Sequence, residues 1–208
     1  LFHGVPERHP RLAPGEFGFD PSLKNYKYDP ALAKKLLAEA GYPNGFTMPF
    51  YSAGGNFYGF PETTEAVILY LKAVGINAQL KTIEGANGFE FIRKVQNDPS
   101  IEFVSISGMP VANSGLPSLD ALTLSYFSKS PYVLYKYPEI DNGIPAALAE
   151  LNDGKRKLMI QKMEKFLYDE AASISLWDGM SVFAMKKSID YRPIEHRMPV
   201  VTLENMRP

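Results

Sequence analysis

The chain has 208 residues, a formal net charge of -1, a hydrophobic fraction of 45% and no cysteine. That balance offers no basic field for nucleic acid and no polybasic patch for a membrane surface. The missing thiols exclude a disulfide framework, a thiolate metal site and a cysteine nucleophile. The apolar content is ample for a core, the length suits one domain or one lobe of something larger, and no apolar run approaches the ~20 residues of a membrane span. These residues contain no signal peptide, and because the first of them is Leu1 a processed or shortened product is expected.

The first 28 residues are rich in Pro and Gly and offer little that a core uses. At Asp29-Pro30 the chain changes character. Asp29 can accept from the free amides of a first helical turn, and Pro30 suits the first helical position, where a missing N–H costs nothing. Leu32, Ala33, Leu36, Leu37 and Ala40 recur at helical spacing and are expected to be buried, Gly41 stops the helix, and Tyr42 can fold back on Leu37. Pro43, Asn44 and Gly45 make a turn, and "FTMPFY" reads as a strand over 46–51 that Pro49 assigns to an edge or a bulge.

After a Gly and aromatic loop, Pro61 with Glu62 and Glu65 opens a helix that Gly75 closes, and "INAQLKTI" follows as a strand over 76–83. This is a βαβ unit, so the two strands should be parallel. Phe89, Ile92 and Val95 mark another helix, "NDPS" breaks it, and "IEFVSIS" is a third strand. In open α/β sheets ligands gather at the carboxyl ends of the strands, which here lead into the loops Ser52–Phe60, Glu84–Gly88 and Ser107–Pro117.

The second half is more helical. "EIDNGIPAALAEL" reads as an interrupted helix. "NDGKRKLMIQKMEKFLYDEA" reads as a long one, capped by Asp153 and burying Leu158, Met159, Met163, Phe166 and Leu167. Asp178-Gly179 stands between two strand-like runs, the pattern of a tight hairpin. The last residues, 191–208, form a second Pro-punctuated tail.

Catalytic motifs are absent: there is no G-x-S-x-G, no H-E-x-x-H and no G-x-x-x-x-G-K-[ST]. The glycines of "FYSAGGNFYGF" lack the Lys and Ser/Thr of a phosphate loop. His3, His9 and His196 lie in the Pro-rich ends and read as surface residues rather than a metal cluster. Glu62 and Glu65 fit the charge preference of a helix start, and Lys155-Arg156-Lys157 and Lys186-Lys187 fit solvated faces. Aromatic residues carry more signal. Phe57, Tyr58 and Phe60 lie in one loop at the ligand edge, and Tyr126, Phe127, Tyr132, Tyr135 and Tyr137 crowd a stretch that is neither strongly helical nor alternating; such rings serve as ligand contacts or as loop anchors.

"YDPALAKKLLAEAGYPNGF" resembles the YDP-x-x-AK-x-LL-x-EAGYP-x-GF signature of the family 5 extracellular solute-binding proteins, the oligopeptide, dipeptide and nickel class of ABC importers. "ETTEAVILYLKAVGINAQLKTIE", "FEFIRK" and "PEIDNGIPAALAELNDGKRKLMIQKMEKFLYDEAASISLW" follow in the family's order, so the likeness runs along nearly the whole chain. It implies an α/β fold: a periplasmic-binding-protein-like lobe with a mixed sheet, βαβ units flanked by helices and a C-terminal hairpin. It also implies that residues 1–208 are the C-terminal lobe of a two-lobe protein. Within that lobe 1–28 would be a hinge-proximal segment, 29–190 the α/β core and 191–208 a tail returning toward the other lobe.

The function so implied is that of the substrate-binding component of an ABC importer, which closes two lobes on a peptide or other small solute and delivers it to a permease. The protein would not be an enzyme and would need no cofactor or metal. Its partners would be the solute, the N-terminal lobe and the permease, with no nucleic acid, and its location periplasmic or extracytoplasmic, secreted or lipid-anchored. Candidate ligand contacts are Tyr51, Asn56, Phe57, Tyr58, Ser107, Met109, Asn113 and Tyr126. Where peptide-binding relatives carry W-x-x-D-Y, whose Asp pairs with a free amino group, this chain has "SGMPVANSGLPSLD", with no carboxylate between Glu102 and Asp120. A neutral or differently oriented solute is therefore favoured over a peptide held by its amine. Two alternatives remain: a small α/β enzyme with an unrecognised site, and a non-transport interaction module.

Overall fold

The computed structural model describes residues 12, 14–53, 60–83, 88–98, 104–106, 117–176, 186, 190–191 and 206–207. Two compact units are present: Lys27–Met109, and Leu1–Tyr26 together with Pro110–Pro208. The α/β expectation is met, and the stretch read as one core, 29–190, is parted at Met109.

The unit Lys27–Met109 holds α1 (Pro30–Glu39), β1 (Phe46–Ala53), α2 (Phe60–Ala73), β2 (Ile76–Ile83), α3 (Gly88–Asn97) and β3 (Val104–Ile106). The Asp29 carboxylate accepts from the Leu32 amide at 2.8 Å, as its position before Pro30 requires. At the other end Gly41 takes φ 90°, and the amides of Gly41 and Tyr42 donate to the carbonyls of Ala38 and Leu37 at 3.1 and 2.8 Å. The chain so folds back on Leu37, and the Tyr42 ring packs on Phe46, with centroids 4.9 Å apart. No residue of α1 is buried, and Leu32 and Leu36 are 48% and 53% exposed. The expected core stripe of α1 is thus largely open, because spacing marks an apolar face without saying what covers it.

The sheet has three parallel strands in the order β2-β1-β3. β1 pairs with β2 from Phe46↔Ile76 to Ala53↔Ile83, and with β3 from Phe50↔Val104 to Ser52↔Ile106. The strand holding Pro49 is therefore the middle one rather than an edge. Pro49 stands opposite Gln79 of β2, and the described pairing with β3 begins at Phe50. Phe50 and Ala78 are buried under Val67, Ile68 and Leu71 of α2. Gly45, at φ 73°, lets the two strands enter together: a Cβ there would lie 1.9 Å from the Gly75 carbonyl oxygen.

The other unit holds α4 (Pro117–Tyr126), α5 (Pro138–Ala149), α6 (Asp153–Asp169) and a short antiparallel pair, β4 (Asp190–Tyr191) with β5 (Met206–Arg207). Its core joins Leu119, Leu122 and Tyr126 of α4, Ile140, Ile144 and Ala147 of α5, and Ile160, Met163 and Leu167 of α6. α4 was not legible in the sequence, because Ser118, Thr123 and Ser125 dilute a helical spacing that only its buried neighbours reveal. α5 runs through Pro145 without interruption; Ile144 and Ala147 on either side are buried, and that packing outweighs one lost backbone bond.

In α6 the cap is Asn152, whose Oδ1 accepts from the Lys155 amide at 3.0 Å. Asp153 instead faces the Arg156 guanidinium at 2.8 Å. The buried face is Ile160, Met163, Glu164 and Leu167, with Met159 and Phe166 packed at its border, while Leu158 is 66% exposed.

The opening residues belong to this core. Leu12 is buried in it, Phe17 and Phe19 pack against it, and Gln161 Nε2 donates to the Phe19 carbonyl at 2.9 Å. Tyr26 stacks on Tyr168, with centroids 4.8 Å apart and planes 1° from parallel, and its hydroxyl donates to the Tyr168 carbonyl. The hairpin expected at Asp178-Gly179 lies outside the described residues.

Candidate functional site

The three parallel strands end together, β1 at Ala53, β2 at Ile83 and β3 at Ile106, so the carboxyl-end edge required by the topological rule exists. Side chains alternate along β1, and the register carries each face across the sheet. Ser52 lies on the face covered by α2 and is buried. Its Oγ is 2.9 Å from Thr64 Oγ1 in the first turns of α2, a hydroxyl pair that ties strand to helix.

Tyr51 takes the opposite face. It is half-buried, and its ring is tilted by 41° over Phe91 of α3 with centroids 4.3 Å apart. The register sets Lys81 of β2 and Ser105 of β3 abreast of Tyr51. Farther from the edge on the same face, Asn77 Nδ2 donates to Thr47 Oγ1 at 3.2 Å. The sheet end thus presents a tyrosine supported by a second aromatic ring, flanked by an exposed ammonium. Such a surface can meet a ligand by apolar contact and charge.

Of the sequence candidates, Tyr51 stands at this edge. Asn56, Phe57, Tyr58, Ser107, Met109 and Asn113 lie outside the described residues. Tyr126 belongs to the helical unit, where it is 8% exposed within the core. Its hydroxyl donates to Ser173 Oγ at 2.6 Å and its ring lies 6.3 Å from that of Tyr137. A ring so enclosed fills space in that core. Tyr137 meets Phe166 edge-on at 5.6 Å, and burial, with Tyr126 and Glu170 nearby, pushes its phenol above the ordinary tyrosine range.

Phe91 and Lys81 escaped notice in the sequence. The signal available was parity: Lys81 shares a face with Tyr51 once the two strands are set in parallel register. Among the described residues no group of three or more His, Cys, Asp or Glu is placed to hold a metal ion, and no helix is long and apolar enough to cross a membrane.

Residues 2–129 match the family model of the bacterial extracellular solute-binding proteins, family 5 (middle). The chain belongs to that family. Among relatives, it is 25% identical over 187 residues to the glutathione-binding protein GsiB of Salmonella paratyphi A, covering 86% of this chain and 35% of that protein. Among solved structures, the periplasmic binding protein DppA of Helicobacter pylori, in complex with peptide STSA, superposes with a TM-score of 0.63 at 18% identity over 80% of this chain and 32% of that one. MoaA of A. tumefacien, in complex with mannopinic acid, gives 0.57 at 27% identity over 77% of this chain and 32% of the other.

The likeness to DppA shows the periplasmic-binding-protein fold, as expected of a family 5 chain. These relatives are binding proteins. The chain spans about a third of their length, 35% of GsiB and 32% of DppA.

Proposed function

We propose that this family 5 chain is one lobe, the C-terminal one, of the solute-binding component of an ABC importer. The whole protein captures a peptide or other small solute between two lobes and passes it to a permease. The observation that carries the reading is the family match over residues 2–129 on a chain whose parallel sheet ends at a single edge bearing the Tyr51–Phe91 pair. Tyr51 is proposed as a ligand contact, with Asn56, Phe57, Tyr58, Ser107, Met109 and Asn113 of the loops beyond the strand ends.

Closing two lobes on a solute excludes water and changes the surface shown to the permease, so capture is signalled by shape. A single lobe supplies half of the contacts and no clamp, so the isolated chain binds its solute weakly. The protein works outside the cytoplasm, secreted or lipid-anchored, and asks no covalent step of its residues. GsiB is a glutathione-binding protein, DppA is seen with a peptide and MoaA with mannopinic acid, so relatives of this chain take solutes of several chemistries.

A thermal-shift screen of the full-length protein against peptides, sugar acids and metal chelates tests this. A true solute at a hundred times its Kd stabilises by about 2.7 kcal/mol, a shift of several degrees. Stabilisation by none of these classes, or turnover of any of them into product, overturns the reading.

A further inference from the structure

Three features of the Lys27–Met109 unit converge at the end of the sheet. Tyr51 is half-buried and tilted on Phe91 at 4.3 Å, so its ring is held in place. Lys81 stands beside it in register, on the neighbouring strand and the same face, one strand spacing away or about 4.8 Å. Lys81 is exposed and pairs with no carboxylate among the described residues. The charged residues of the strands and of α3 are Lys81, Glu90, Arg93 and Lys94, of which the one acid, Glu90, faces Arg93 at 3.6 Å. Counted over these elements alone the balance is cationic, while Glu84 follows β2 in the loop at the same edge.

We infer that Tyr51, Phe91 and Lys81 form a subsite for the carboxylate end of a solute that bears a ring or hydrocarbon group next to its acid. The inference rests on the solute-binding reading above and names the chemistry that this half of the site selects. The Tyr51 ring takes the apolar group by stacking, Phe91 holds that ring in its pose, and the Lys81 ammonium takes the carboxylate. The stretch between Glu102 and Asp120 carries no acid that would oppose the solute's carboxylate.

The test is an NMR titration of the 15N-labelled chain with N-acetylphenylalanine and with its carboxamide, which share the ring and differ in the charge. The acid is expected to move the amides of Tyr51, Lys81 and Phe91 and to bind about five-fold more tightly than the carboxamide, the reach of one partly exposed ion pair. Lys81→Met, on an exposed side chain, is expected to keep the spectrum of the folded chain and to erase that preference. Tyr51→Leu is expected to weaken both probes alike.

Equal affinity for the two probes, a preference that survives Lys81→Met, shifts confined to other residues, or no shift with either probe overturns the subsite. The solute screen separates the two levels. If solutes stabilise the full-length protein while the acid and its carboxamide are not distinguished, the subsite fails and the transport reading stands. If nothing in the screen binds, both fall.

Discussion

Gly18 shows how tightly the opening segment is bound into the helical unit. Its φ is +95°, in the left-handed region, and a Cβ placed on it would lie 2.4 Å from Ile160 Cγ2 and 3.1 Å from Ile160 Cβ. Ile160 is fully buried at the centre of the core, so it has nowhere to move. For Gly18→Ala the backbone conformation costs about 1–2 kcal/mol, and the crowding of a packed core adds about 1–3 kcal/mol. The loss of glycine's freedom in the unfolded chain returns roughly 0.4–1 kcal/mol.

The net loss is about 2–4 kcal/mol, which in a chain of this size lowers Tm by roughly 5–15 °C. Urea unfolding followed by circular dichroism measures it. Ile160→Ala deletes the opposing methyl and costs about 2–5 kcal/mol by itself. The double variant should then fall short of the sum of the two by about 1 kcal/mol or more. A Gly18→Ala change within about 0.5 kcal/mol of zero, the range of an ordinary surface substitution, would refute the account of the opening segment as part of the core.

Three further outcomes follow from α6 and its surroundings. Asn152→Ala should destabilise by about 1 kcal/mol through loss of the cap to Lys155, whereas Asp153→Ala, breaking one exposed ion pair, should change stability by less than about 0.5 kcal/mol; equal losses on denaturant unfolding would reverse the assignment of the cap. Ala171 sits at φ 48° just past α6, where the amides of Ala171 and Ala172 close the helix on the carbonyls of Tyr168 and Leu167, so Ala171→Gly should raise stability by about 0.5–1 kcal/mol, and a lowered Tm would contradict it. Burial is the chief cause that holds the Tyr137 phenol above the ordinary tyrosine value of 10.0, so the stability it contributes is present below pH 10 and is lost as pH rises through its higher folded value. Ultraviolet titration should show a late tyrosine that Tyr137→Phe removes, and an unchanged titration curve would count against the burial.

Local chemistry was legible from residues alone. Asp29 before Pro30, Gly41 after Ala40 and the alternation of strand and helix from Phe46 to Ile106 describe interactions that close within a few residues, and the parallel pairing of 46–51 with 76–83 follows from one crossover. The signature around Tyr28 to Phe46 reached farther and placed the chain in its family. What the sequence could not say is which partner lies opposite. Gly18 reads as one more glycine of a Pro-rich segment until Ile160 is set against it, Leu158 and Ile160 look alike until the helix meets its neighbours, and Pro49 argues for an edge until β3 pairs just beyond it. The ligand edge divides in the same way. Its place follows from strand order, while the meeting of Tyr51 with Phe91, on the face that Lys81 shares by register, depends on which face of the sheet α3 covers. Burial and close approach arise between segments distant in sequence, so tertiary packing alone selected among faces that local spacing left equivalent.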